Sequence, residues 1–169
     1  MIFKNWSIKK ILKEVAITLL MVAVVSFGLN YIRKPDIATA IPNLKLETIS
    51  GKLIELKQNG KPLILHFWAT WCPTCKLEAP NIEYIKEDSG VRVVTIAVNS
   101  GNNKALEEFM EQRGYSYSVI NDNSGELAKR FKVGAYPTTF IYDSNGTLQF
   151  AEVGYSTTIG LKARLALVD

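Results

Sequence analysis

The chain predicts an α/β fold in which a central mixed sheet is flanked by helices, with an N-terminal β-hairpin extension and one transmembrane helix in front. Three observations predict it. Residues 62–68 (PLILHFW) and 91–98 (VRVVTIAV) are dense apolar runs of the kind expected for strands buried on both faces, and a stretch of helical spacing separates them. Residues 138–143 (TTFIYD) and 147–153 (TLQFAEV) flank the turn Ser144-Asn145-Gly146, so an antiparallel hairpin follows that parallel crossover. Finally, residues 15–32 (VAITLLMVAVVSFGLNYI) run for eighteen positions without a charge, which just spans a hydrocarbon core of roughly 30 Å at about 1.5 Å per residue.

These features divide the 169 residues into a cytoplasmic N-terminus (1–14), a membrane anchor (15–32), a linker (33–40) and one folded domain (41–169). Lys4, Lys9, Lys10 and Lys13 precede the apolar run, while Arg33 and Lys34 follow it. The positive-inside bias therefore keeps the N-terminus in the cytoplasm and sends the domain into the periplasm or cell exterior. The competing expectation is a cleaved signal peptide, because Ala38-Thr39-Ala40 resembles an A-x-A cleavage site, although Arg33 and Lys34 stand where such a peptide normally has no cations. No cysteine lies near the end of the run for lipid attachment. Residues 1–34 carry six Lys/Arg against one acid, whereas residues 35–169 carry fourteen against fifteen. The basic balance thus belongs to the N-terminus, and a nearly neutral domain without a basic stripe argues against a nucleic-acid partner.

Within the domain, Leu44 to Ile49 alternates with period two, Ser50-Gly51-Lys52 turns, and Leu53 to Leu56 returns as an opening hairpin. Residues 62–68 give the first buried strand. The spacing from Cys72 to Glu87 predicts a helix with Leu77, Ile82 and Ile85 inward and a kink at Pro80. Residues 91–98 give the second buried strand, and Asn103 to Gly114 an amphipathic helix ended by its glycine. A short helix over 124–131 opens on a Ser124 cap. After the terminal hairpin, Ser156 or Thr157 caps a last helix whose apolar positions are Ile159, Leu161, Leu165 and Leu167.

Cys72-Pro73-Thr74-Cys75 holds the only two cysteines of the chain, at a strand-to-helix junction. Pro73 suits the first helical turn, where a missing N–H costs little. Unpaired amides and the positive end of the helix dipole lower a thiol pKa from about 8.5 toward roughly 3.5–7.5. Cys72 is therefore expected to be the nucleophile, and Cys75, one turn inward, the thiol that resolves a mixed disulfide. Two other uses of the pair compete: a copper(I) site, since two thiolates bind a soft ion, and a structural disulfide, which would close too small a loop to gain much entropy. A four-ligand zinc site needs more Cys and His than the chain owns.

The run Phe67-Trp68-Ala69-Thr70-Trp71-Cys72-Pro73-Thr74-Cys75, with Glu78 and Pro80 behind it, resembles the signature of membrane-anchored extracytoplasmic thioredoxin-like proteins, the TlpA/ResA/DsbE-like group. Within that group the chain is similar to the ScsD-like disulfide oxidoreductases linked with copper tolerance. The resemblance covers about residues 41–165 and implies a thioredoxin-like fold and a protein-disulfide oxidoreductase. It implies no cofactor beyond a redox-active Cys72–Cys75 disulfide, extracytoplasmic protein thiols or disulfides as substrates, and a membrane redox partner. It extends to Ala135-Tyr136-Pro137-Thr138-Thr139, which resembles the family's cis-proline loop facing the dithiol, with the Tyr136 main chain beside the sulfurs. The alternative, a copper(I)-binding or metal-transfer module using the same two cysteines, is weakened by the sequence. Copper chaperones of this fold resemble a CxxxC pair with a distant histidine, and no histidine follows Cys75.

His66, the only histidine, stands where ordinary thioredoxins carry a buried aspartate. Strand alternation puts it on one face with Ile64 and Trp68. Three roles stay open for it: a proton acceptor for Cys75, a hydrogen-bonded structural histidine, and a metal ligand. Trp68 and Trp71 are expected to serve as core and rim packing, with Pro73 and Thr74 shaping the turn that presents the sulfurs.

Overall fold

The computed structural model describes residues 8–33, 40–87 and 90–168, and the chain divides into two compact units, Met1–Lys34 and Pro35–Asp169. The first unit contains α1 (Ile8–Arg33), which includes the uncharged 15–32 segment. Its apolar side chains from Leu12 to Val24 that the structure describes are exposed, Leu20 by 65%. The side chains at 23 and 25–33 lie outside the described residues, as do residues 1–7 and all but the last residue of the Ala38-Thr39-Ala40 site. Among the described residues, no helix is long and apolar enough to cross a membrane.

The second unit opens with β1 (Leu44–Glu47) and β2 (Leu53–Leu56), an antiparallel pair in which Lys45 faces Glu55 and Gly51 turns the chain at φ 77°. There follow β3 (Leu63–Trp68), α2 (Pro73–Lys86), β4 (Arg92–Val98), α3 (Asn103–Arg113), β5 (Ser118–Asp122), α4 (Glu126–Arg130), β6 (Thr138–Tyr142), β7 (Leu148–Val153) and α5 (Thr158–Leu165). The main sheet has the order β5-β4-β3-β6-β7. β3, β4 and β5 run parallel, and β6 and β7 return antiparallel, the mixed pattern expected from a βαβ crossover followed by a hairpin. The opening hairpin is fastened to the sheet by Arg92, whose guanidinium donates to the carbonyls of Lys57 (2.8 Å) and Glu55 (2.7 Å), and by the Ile49 amide, which donates to Val119 (2.9 Å).

All six side chains of β3 are buried, and they alternate between two cores. Leu63, Leu65 and Phe67 pack with Val94, Ile96, Phe131, Phe140 and Tyr142 on one face. Ile64 and Trp68 pack on the other with Cys72, Cys75, Ile82 and Ile85 of α2 and Leu161 and Leu165 of α5. His66 points to this second face, as alternation requires.

Three expectations about helices are corrected. Leu77 is 70% exposed, because α2 turns Cys75, Glu78, Ala79, Ile82 and Ile85 to the sheet and leaves Leu77 on the opposite arc. Ile159 (81%) and Leu167 (76%) are likewise outside, while Leu161 and Leu165 carry α5's packing. Ser124 does not cap α4: Gly125 occupies the cap position at φ 74°, and the Asp122 carboxylate accepts from the Leu127 (3.0 Å) and Ala128 (2.8 Å) amides instead. A carboxylate at a helix start complements the exposed N–H groups better than a hydroxyl does. α2 runs unbroken through Pro80, and α5 is capped by Thr157, whose Oγ1 accepts from the Gly160 amide.

Candidate active site

The site lies where β3 ends and α2 begins. Cys72 is the N-cap of α2, and its Sγ accepts a hydrogen bond from the Cys75 amide at 3.2 Å. The sulfur thus does the work of a capping oxygen, holding an N–H group that the helix leaves unpaired. Pro73 is the exposed first residue of the helix, and Thr74 is half-buried beside it. Cys72 and Cys75 are joined by a disulfide, with Cα atoms 5.3 Å apart. Both are buried, Cys72 leaving 5% of its surface accessible and Cys75 2%, so exposure alone hardly separates them. Their hydrogen bonding does: Cys72 receives the helix amide, and its Sγ lies 3.7 Å from the Tyr136 carbonyl oxygen.

The loop before Cys72 is held by the loop after β4. Thr70 donates its amide to Ser100 Oγ (3.0 Å), Ser100 Oγ donates to the Val98 carbonyl (2.8 Å), and the Trp71 indole donates to the Asn99 carbonyl (3.1 Å). Asn99 adopts φ 46°, a left-handed conformation that asparagine tolerates better than most residues. Trp71 remains 57% exposed and meets Tyr136 edge to face, ring centres 5.8 Å apart. The Tyr136-Pro137 peptide is cis, as the family resemblance implies, and the Pro137 carbonyl accepts from the Gly154 amide at 2.8 Å. Cys72, Trp71 and Tyr136 are therefore brought together at one rim.

Trp68 and His66 lie behind that rim. Trp68 is buried and its indole donates to Thr95 Oγ1 (3.1 Å), which donates in turn to the Ser118 carbonyl (3.0 Å). His66 is 2% exposed, with Nδ1 2.9 Å from Thr139 Oγ1 on β6. Burial pushes its pKa down from 6.5 to about 3, so the ring is neutral across the physiological range. The structure thus ties His66 to the strand that leaves Pro137, and the Nδ1 partner is a hydroxyl rather than a sulfur.

Glu78 belongs to the motif, yet its sequence carried no assigned role. It is fully buried on the inward arc of α2, one turn beyond Cys75. The Ser156 amide draws its pKa partly down, but neither carboxyl oxygen accepts a bond of normal geometry, and burial wins, raising the pKa from 4.5 to about 8. The signal was legible: positions 75, 78, 82 and 85 repeat at three and four, so an acid at 78 shares the cysteine's face. Among the described residues, no group of three or more His, Cys, Asp or Glu side chains gathers as a metal site.

Comparison with known proteins agrees with this geometry. Residues 37–151 match the AhpC/TSA family. A thioredoxin-like protein of Haemophilus influenzae is 31% identical over 96% of this chain and 97% of its own length. Sporulation thiol-disulfide oxidoreductase A of Bacillus subtilis is 33% identical over 73% of this chain and 78% of its own. Among solved structures, a secreted disulfide oxidoreductase of Mycobacterium tuberculosis homologous to E. coli DsbE superposes with a TM-score of 0.65 at 27% identity, covering 74% of this chain and 96% of that one. With the β3–α2 dithiol, the cis Tyr136-Pro137 loop and these relatives together, the chain belongs to the AhpC/TSA family of thioredoxin-like proteins, among the ResA- and DsbE-like thiol-disulfide oxidoreductases.

Proposed function

We propose that this protein exchanges disulfides with extracytoplasmic proteins through Cys72 and Cys75. One observation carries the reading: the Cys72 sulfur caps α2 while facing the Tyr136 main chain at an aromatic rim. Acting as a reductant, the Cys72 thiolate attacks one sulfur of a substrate disulfide, forms a mixed disulfide and expels the other substrate sulfur as a thiolate. Cys75, deprotonated, then attacks Cys72 Sγ, releases the second substrate thiolate and leaves the Cys72–Cys75 disulfide. As an oxidant the same steps run in reverse. The Cys75 amide stabilises charge on Cys72 in both directions.

Cys75 must lose its proton in an apolar setting, where a bare thiolate is costly. Glu78, one turn on along the same buried arc, has a pKa near that of a thiol, which is the match a proton exchanger needs. His66 is neutral and bonded to Thr139, which suits holding β6, and so the Pro137 loop, against β3. Trp71 and Tyr136 frame the approach to Cys72, and an extended substrate segment can pair with the main chain at Tyr136. Residues 15–32 are assigned as a single-pass anchor, supported by their uncharged length and the lysines before them, with the domain outside the cytoplasmic membrane.

The test uses Cys75→Ser in the full chain. Mixed disulfides should accumulate on Cys72 of that variant, and alkylation of the reduced, unaltered protein at mildly acidic pH should label Cys72 before Cys75; the reverse order would falsify the assignment. A reporter fused after Asp169 should be active only outside the cytoplasm and should remain membrane-bound, whereas a soluble product starting at Ile41 would favour a cleaved leader.

A further inference from the structure

Beyond the aromatic rim, α2 carries an exposed apolar stripe that leads away from the dithiol. Pro73, Leu77, Pro80 and Tyr84 recur at spacings of four, three and four, and all are exposed, Leu77 by 70% and Tyr84 by 51%. The stripe runs about 16 Å along the helix axis. The start of α5 and the loop before it lie alongside. Asn81 Nδ2 donates to Tyr155 Oη (3.2 Å) and to the Ser156 carbonyl (2.9 Å), Thr158 Oγ1 donates to Asn81 Oδ1 (2.9 Å), and Lys162 Nζ stands 4.6 Å from the centre of the Tyr84 ring. Tyr155 and Ile159 are 51% and 81% exposed, so they broaden the apolar face. Single exposed apolar side chains need no explanation, but a row of them beside a reactive group does.

The exposed charged side chains within α2 and α5 are lysines, and the exposed Glu87 caps α2 three positions past Tyr84, at the end away from the dithiol. Lys76 on α2 and Lys162 on α5 are both exposed. No acid of either helix opposes them: Glu78 is buried, α5 contains none, and Glu83 is engaged by the Ser116 hydroxyl (2.5 Å), the Ser116 amide (2.8 Å), the Tyr117 amide (3.2 Å) and Lys86 (4.0 Å). Resting on the exchange reading, we propose that the α2–α5 face docks a partner protein that presents an apolar ridge flanked by carboxylates. Leu77 and Tyr84 bury the ridge while Lys76 and Lys162 meet the carboxylates, which holds the partner beside Cys72 during exchange. Apolar contact then supplies residence time and the lysines supply steering and selectivity.

The experiment measures exchange by the reduced full chain in detergent with three probes. Two are peptide disulfides alike in length and leucine pattern, one flanked by glutamates and the other by lysines; the third is uncharged 2-hydroxyethyl disulfide. The glutamate peptide should react about tenfold faster than the lysine peptide at low salt, with the gap closing as the Debye length shrinks in high salt. Lys162→Glu should erase or invert the preference, and Leu77→Ser with Tyr84→Ser should slow both peptides about fivefold, all variants keeping the parent rate with hydroxyethyl disulfide. Equal peptide rates, or variants without effect on them, overturn the proposal while exchange stands. Loss of turnover with hydroxyethyl disulfide in the unaltered chain overturns the exchange reading and this proposal with it. Equal peptide rates together with α2 amide protection in anionic but not zwitterionic nanodiscs assign the face to a lipid surface and also overturn it.

Discussion

Two neighbouring rows of the same sheet are built to different rules. The row through Leu65 pairs it with Val94 and Phe140, and Phe140 with Ala151, all apolar and all in the core that faces away from the dithiol. One residue along, the row through His66 pairs it with Thr95 and Thr139, and Thr139 with Glu152. This polar row faces α2 and α5, where Glu78 is buried and Arg164 reaches Glu152 at 2.9 Å. A single register step thus separates a face made for cohesion from one made to carry ionisable groups next to a reactive sulfur. Burial without ion partners keeps both His66 and Glu78 uncharged near neutrality, so these two groups hold protons without holding charge.

The sharpest way to break this comparison is to damage the apolar row. Phe140 stacks on Phe131 and meets Phe67 edge to face, so Phe140→Ala should cost about 3–5 kcal/mol in denaturant unfolding while the exchange rate per folded molecule stays at the parent value. A change in that rate would mean that the two faces are not separable.

The next effect is on pH dependence. The Glu78 carboxyl, at about 8 when folded against 4.5 ordinarily, binds its proton more tightly in the folded chain, so its contribution is intact below about pH 4.5 and is lost as pH rises to 8. His66, at about 3 against 6.5, behaves oppositely: its contribution is intact above 6.5 and is lost as pH falls to 3. Together they give a plateau between about pH 4.5 and 6.5, with each limb sloping by at most about 1.4 kcal/mol per pH unit. Glu78→Gln should remove the alkaline limb and, because the plateau is two opposite slopes cancelling, extend the acid limb up to about pH 6.5; urea titrations at several pH values in which the alkaline limb persists would exclude Glu78 as its source.

His66→Leu should remove the acid limb, extend the alkaline limb down to about pH 4.5, and cost about 1–3 kcal/mol, because Thr139 Oγ1 is left buried without its partner. Stopped-flow exchange per folded molecule should match the parent, and slower resolution of the mixed disulfide would instead make His66 a proton carrier. Smallest of all, Asp122→Asn should cost about 1 kcal/mol by weakening the start of α4 and should leave both limbs in place, which thermal unfolding across the same pH range checks.

Much of this was readable because it rests on local rules. The run 62–68 has the density expected of a strand buried on both sides, and Cys72-Pro73 announces a helix start. The cis bond before Pro137 followed from the family resemblance, since the residues themselves allow an ordinary strand entry. What escaped was the choice between competing arcs of one helix. In α2 the set 73, 77, 80, 84 is as periodic as 75, 78, 82, 85, and apolarity favoured Leu77 over Glu78 for the inside. Attachment decided otherwise: Cys75 must pack behind Cys72, and that rotation carries Glu78 in and Leu77 out. The α4 cap escaped for a related reason, because an acid two residues before Ser124 sits at the strand end, where its two oxygens reach two amides at once.

The capping role of Cys72 bears on how an inactive form of this protein is chosen and interpreted. The atom that reacts is also a structural acceptor, so deleting it subtracts two things together. Cys72→Ser keeps an acceptor at the cap and removes only the chemistry, whereas Cys72→Ala also frays the first turn of α2 and loosens whatever that turn positions. A cell carrying the alanine form can lose the protein itself to proteolysis, and its defect then reports abundance; the serine form leaves the scaffold in place and isolates the missing sulfur.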